Sequence, residues 1–143
     1  MNRIMTTLAL VFFSCAPALA EQAILEKAVP KEFEDYRSET EEATDDKLIR
    51  WFQGESDQYF VVEVDVGGPL VTGLKNTFNS MKLAMGTVEV NNETYVYDGE
   101  MFSLLIEKTI LVRAYGTAPK DDLEDLLERL DVSTLKDLAM RSQ

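Results

Sequence analysis

Residues 62–76 read VEVDVGGPLVTGLKN, and the apolar period changes inside that stretch. Before the glycines, Phe60, Val62, Val64 and Val66 alternate with Tyr59, Val61, Glu63 and Asp65. A period of two with one polar side is the pattern of a half-buried antiparallel strand over 58–66. After the glycines, Leu70, Leu74, Phe78, Met81 and Met85 fall at helical spacing, predicting one helix from Pro69 to Gly86. Proline fits the first helical turn, and glycine is a natural stop. Gly68 and Gly73 also have the glycine spacing of a phosphate-binding loop, which needs Lys and then Ser or Thr after the second glycine. Leu74 stands where the lysine is required, Lys75 comes one residue late, and Asn76 follows. A slip of one residue turns a helical side chain by about 100°, and Pro69 removes a backbone donor from the supposed cradle. The stretch is therefore read as a strand-to-helix joint, with Lys75 facing solvent and Gly73 admitting close packing.

Working outward, KLIRWFQ (47–53) is a second strand, joined to the first by the turn Gly54-Glu55-Ser56-Asp57. Downstream come TVEV (87–90), Asn91-Asn92, ETYVYD (93–98), Asp98-Gly99, EMFSLLI (100–106), Glu107-Lys108 and TILVRAYG (109–116), a meander of four short strands. Pro119, Asp121 and Asp122 open a helix with Leu123, Leu126, Leu127 and Leu130 on one face. Asp131-Val132 is expected to end it, and Ser133 or Thr134 to cap a last short segment with Leu135 and Leu138 inward. The order β-β-α-β-β-β-β-α predicts an α+β fold: an antiparallel sheet of about six strands with helices packed on one face. Residues 47–143 form the single domain in this reading.

The N-terminal part divides in two. Residues 1–20 carry Arg3, an apolar run from Leu8 to Phe13 and Ala18-Leu19-Ala20, the pattern of a secretory signal peptide cleaved after Ala20. The apolar run is shorter than the roughly 20 residues a bilayer span needs, so no transmembrane segment is expected in the mature chain. Cys15, preceded by Phe12-Phe13-Ser14, offers a lipoprotein attachment as the minor alternative. The expected location is periplasmic or secreted. Residues 21–46 read as an acidic lead-in. Ile24, Leu25, Ala28 and Val29 suit one short helical turn before Pro30, and 31–46 is expected to be mostly solvated, with Phe33 and Tyr36 pinned to the domain.

Composition narrows the chemistry. The 143 residues carry 26 acids against 14 basic residues, for a formal net charge of −12, and Arg3 is the one charged residue of the signal segment. Such a chain repels phosphate backbones, so no nucleic-acid partner is expected; the charge keeps a small exported protein soluble, as a monomer or weak oligomer. There is no histidine, and the one cysteine is Cys15, so His-dependent nucleophilic catalysis is excluded and the mature chain has neither the Cys nor the His that zinc favours. No calcium loop is present, and the acidic run 32–46 reads as a solvated face. No cofactor is implied. The adjacent pairs Asp45-Asp46 and Asp121-Asp122 are explained by the charged lead-in and a helix start. Met81, Met85 and Met101 read as core fillers. An aromatic group remains: Trp51, Tyr59, Tyr95 and Tyr97 form a candidate interaction surface on the sheet. The expectation is a non-enzymatic domain that binds a partner protein or a small apolar ligand, the alternative being a His-independent hydrolase using a carboxylate pair.

Taken in order, Val29-Pro30, Tyr36-Arg37, V-E-V-D-V-G-G-P-L, V-E-V-N-N-E-T-Y, I-L-V-R-A-Y-G, D-D-L and L-D-V-S-T-L resemble a widespread group of small exported bacterial proteins of unassigned activity. Where that group often has Gly-Gly before the lead-in aromatic, this chain has Glu34-Asp35. The resemblance implies the fold order and an exported location; it brings no catalytic residues with it.

Overall fold

The computed structural model describes residues 21–141; the signal segment, its cleavage after Ala20 and Cys15 lie outside them. The first described element is helix α1 (21–28). Strands β1 (Arg37–Ala43), β2 (Lys47–Gln53) and β3 (Tyr59–Val66) follow, then α2 (Gly68–Leu74) and α3 (Phe78–Met85). Next come β4 (Thr87–Val90), β5 (Glu93–Tyr97), β6 (Met101–Ile106), β7 (Ile110–Gly116), α4 (Lys120–Glu128) and α5 (Val132–Arg141). The fold is α+β, with one antiparallel sheet in the order β1-β2-β3-β7-β6-β5-β4. Every neighbouring pair runs antiparallel. It follows that β3 and β4 point the same way, and that α2 and α3 carry the chain between them past β7, β6 and β5.

The sheet has seven strands where about six were expected. The extra strand, β1, lies in the acidic segment read as solvated lead-in. It pairs with β2 from Arg37↔Gln53 to Ala43↔Leu48, with a bulge between Thr40 and Glu42. Most of its side chains remain exposed. It is held by backbone hydrogen bonds along an edge, so it needs no apolar alternation, and its acids and bulge blunt that edge against unwanted pairing. The residues before it also exceed their expected role. α1 spans more than the single turn predicted before Pro30, and Leu25, Ala28, Val29 and Phe33 all belong to the core. Phe33 and the half-buried Tyr36 pack on Phe60 at ring separations of 5.7 and 5.0 Å, as the pinned aromatics were expected to do.

The main core fills one face of the sheet. Leu48 and Phe52 of β2, Phe60, Val62 and Val64 of β3, Phe102 and Leu104 of β6, and Ile110, Val112 and Ala114 of β7 meet the leucines of α4 and α5 there. The predicted turns hold. Asn91 and Asn92 have φ of 51° and 65°, and Glu107 and Lys108 of 50° and 58°, the left-handed pairs that two-residue hairpins use. The cap of α5 differs from expectation: Asp131 accepts from the Thr134 backbone N–H at 3.1 Å and from its hydroxyl at 2.6 Å, so Asp131, placed in the break after α4, caps α5 in place of Ser133 or Thr134. These hydrogen bonds hold the Asp131 carboxyl below its usual range.

The stretch 62–76 makes the strand-to-helix joint that its period announced. Gly67 and Gly68 have φ of 68° and 90°, conformations open to glycine, and Pro69 sits in the first turn of α2. Three details differ from expectation. The single helix from Pro69 to Gly86 is two, broken at residues 75–77; Gly73, Asn76 and Thr77 are poor helix formers placed together. A side chain at Gly73 would meet nothing within 4 Å, so this glycine does not serve close packing. Finally, α2 and α3 run beside β3 and β5 on the face opposite the main core, where Val71 and Phe78 are buried. Helices therefore cover both faces, with α1, α4 and α5 forming the larger layer. Lys75 is exposed, as expected.

Candidate functional site: an aromatic cleft at the sheet rim

β3 and β6 begin, and β5 and β7 end, at one rim of the sheet. That rim carries a cleft of ≈410 Å³ lined by Tyr59, Tyr97, Phe102, Tyr115, Lys120 and Leu123, among others. The rings come from both faces. Tyr97 and Phe102 are directly opposed across β5 and β6 on the core side and stack at 4.4 Å with 27° between their planes. Tyr59 and Tyr115 project from the other side, by the alternation of β3 and β7. Between them Gly116 brings two strands into close approach. A Cβ there would lie 2.3 Å from the Tyr59 carbonyl oxygen and 2.5 Å from the Phe60 Cα, so only glycine fits.

Two of the phenols and the ammonium in the cleft have partners. The Tyr97 hydroxyl donates to the Gly99 carbonyl at 2.9 Å. The Tyr115 hydroxyl donates to Glu63 Oε1 at 2.7 Å. Glu63 Oε2 accepts in turn from Arg113, which also reaches Asp65 at 3.3 Å. Burial, and then the bond to Glu63, push the Tyr115 phenol up to about 12. Lys120, the first residue of α4, carries its ammonium 4.9 Å from the centroid of the Tyr97 ring and 3.4 Å from Glu124.

The aromatic residues singled out in the sequence divide. Tyr59 and Tyr97 line the cleft. Trp51 stands beside it, 37% exposed, stacked on Tyr59 at 5.3 Å and donating from Nε1 to Glu41 at 2.8 Å. Tyr95 does not join them: it is 1% exposed in the main core, edge-on to Phe102 at 6.3 Å. Its hydroxyl has no hydrogen-bond partner among the described residues, and burial pushes the phenol well above its ordinary value. Tyr115, Phe102 and Lys120 were not picked out from the sequence. The signal for Tyr115 was its place on the polar side of β7, two residues from Arg113. For Lys120 there was none, because a lysine at a helix start reads as surface.

A second cleft of ≈480 Å³ is lined by acids: Glu34, Asp35, Glu55, Asp122 and Asp125 beside Tyr36. The Tyr36 hydroxyl donates to Asp122 at 2.6 Å. Asp122 is half-buried and the other four are exposed. Among the described residues no group of three or more His, Cys, Asp or Glu could hold a metal ion, and no helix is long and apolar enough to cross a membrane. No family model matches the chain, and no curated protein or solved structure matches it.

Proposed function

We propose that the mature chain is an exported, non-enzymatic binding domain that takes a small apolar ligand, or an apolar side chain of a partner protein, in the rim cleft. The observation that carries this reading is the convergence of Tyr59, Tyr97, Phe102 and Tyr115 on one cleft. Ligand sites are concave, with aromatic walls and a few polar groups that are already oriented, and here the phenols of Tyr97 and Tyr115 are held by Gly99 and Glu63. The alternative, a hydrolase using a carboxylate pair, would sit in the acidic cleft. General acid–base work calls for burial that shifts a carboxyl into the working range, and four of the five acids there stand in water.

The test is titration of the mature chain with a neutral fluorescent apolar probe such as N-phenyl-1-naphthylamine. Saturable enhancement, weakened about tenfold by Y97S and unaffected by a distant surface change such as L83S, is the expected result; removing an aromatic wall of a site costs about this much. Equal binding by Y97S and the parent would overturn the assignment. Mass spectrometry of the mature N-terminus, starting at Glu21 for cleavage after Ala20 or at Cys15 for a lipoprotein, checks the export reading.

A further inference from the structure

We infer that the rim cleft is a cation–π site for an alkylammonium group, and that the Lys120 ammonium is a tethered occupant which the ligand displaces from Tyr97. This rests on the binding reading above and adds the class of ligand. The Lys120 ammonium lies 4.9 Å from the Tyr97 ring centroid, within the distance at which an aromatic face attracts a cation. The opposing Phe102 ring, stacked at 4.4 Å, holds Tyr97 in place. Both cleft phenols that donate hydrogen bonds, Tyr97 to a carbonyl and Tyr115 to a carboxylate, shift electron density into their rings, which deepens the negative face that a cation meets. An N-methylated ammonium has an apolar surface and a full charge, so it suits apolar walls and aromatic quadrupoles together.

Charge points the same way. The charged residues lining the cleft are Glu100 and Lys120. Around them lies a chain of net charge −12, which raises the local concentration of cations. An anion held by Lys120 would face Glu100 and compete with Glu124, already 3.4 Å from the ammonium. Lys120 itself is free to leave: its side chain is 46% exposed, and a surface ion pair of this kind is worth little.

The experiment compares choline with its neutral carbon isostere 3,3-dimethylbutan-1-ol, following the Tyr97 and Tyr115 ring resonances of the mature chain by NMR. Choline is expected to bind about fivefold more tightly than the isostere, the usual scale of a partly exposed cation–π contact. K120A is expected to tighten both probes, since either must displace the ammonium from Tyr97, and choline the more, since a like charge is removed from beside it, with the remaining spectrum serving as the check on folding. Equal affinity for the two probes would overturn the cation assignment and leave the apolar site standing. Weaker choline binding by K120A would overturn the displacement. If neither probe shifts the rings while N-phenyl-1-naphthylamine still binds, the cation inference falls and the binding reading stands; if none of the three binds, both fall. Co-sedimentation with phosphatidylcholine vesicles separates the sources: retention on vesicles identifies a lipid headgroup, and a response to soluble choline alone identifies a free amine, each supporting the site.

Discussion

Two tyrosines bind carboxylates through their hydroxyls, and this gives the molecule an alkaline limit. Tyr36 is pushed up to about 12, first by burial and then by the hydrogen bond and charge of Asp122; Tyr115 reaches about 12 beside Glu63. An unfolded tyrosine loses its proton near pH 10. The folded phenols keep theirs to higher pH, so the stabilisation is complete below pH 10 and is lost as pH rises from 10 toward 12. Denaturant titrations across that window should show stability falling with pH, and Y36F and Y115F should each flatten the fall. An unchanged slope in both variants would show that these hydroxyls are not responsible. Single residues also mark what the sequence left illegible. Tyr59 and Tyr97 stood out as aromatics on strands. Their meeting could not be read, because they occupy opposite faces and converge only where the sheet ends.

At the scale of elements, Arg50 is the tie between the N-terminal segment and the sheet. It sits on the core side of β2 and is 1% exposed. One guanidinium nitrogen donates to the carbonyls of Glu26, Val29 and Pro30, at and just beyond the end of α1, and Nε donates to Thr40 of β1 at 3.1 Å. Desolvation lowers its pKa, with the charge of Glu26 opposing the shift. A cation at the C-terminal end of α1 matches the helix dipole and supplies donors where the last carbonyls of a helix lack intrahelical partners. R50M keeps the bulk and removes these bonds. It should cost about 3 kcal/mol, from several buried acceptors left unpaired, with amides of α1 exchanging faster than those of β3 and β7. Uniform exchange would mean that α1 is held by its apolar face alone. Arg50 read as an ordinary polar residue within KLIRWFQ, since nothing local tells that its side of the strand is the core side. β1 was hidden for the opposite reason. An edge strand with solvated side chains shows no period, so only its pairing with β2 reveals it.

Over the whole molecule, the excess of acids is a distributed cost. Several ion pairs relieve it locally, Lys47–Asp65 at 3.6 Å and Lys120–Glu124 at 3.4 Å among them, but 26 acids outnumber 14 basic residues. Self-repulsion weakens a compact state, and salt screens charges farther apart than about 8 Å at physiological ionic strength. Raising sodium chloride from about 0.02 M to about 0.5 M at pH 7 should therefore raise the Tm by a few degrees, because the Debye length shrinks several-fold. A lower Tm at high salt would show that the local pairs outweigh the repulsion. The same scale accounts for the topology. β3 and β4 run parallel with three strands between them, so their connection must cross a face of the sheet. That is why α2 and α3 cover the side opposite the main helical layer.

The sequence alone determined the period-two strands, the glycine and asparagine turns between them, the leucine face of α4 and therefore the α+β class, because each follows from contacts a few residues apart. It also excluded the phosphate loop and histidine chemistry, because the required residues are absent. The tertiary structure decided the seventh strand, the division of helices between two faces, the burial of Tyr95 and Arg50 and the cleft at the rim. Each of these depends on which strand lies beside which, and on where strands end together. Neighbours across a sheet are set by pairing between distant segments, and a local pattern of residues does not carry that pairing.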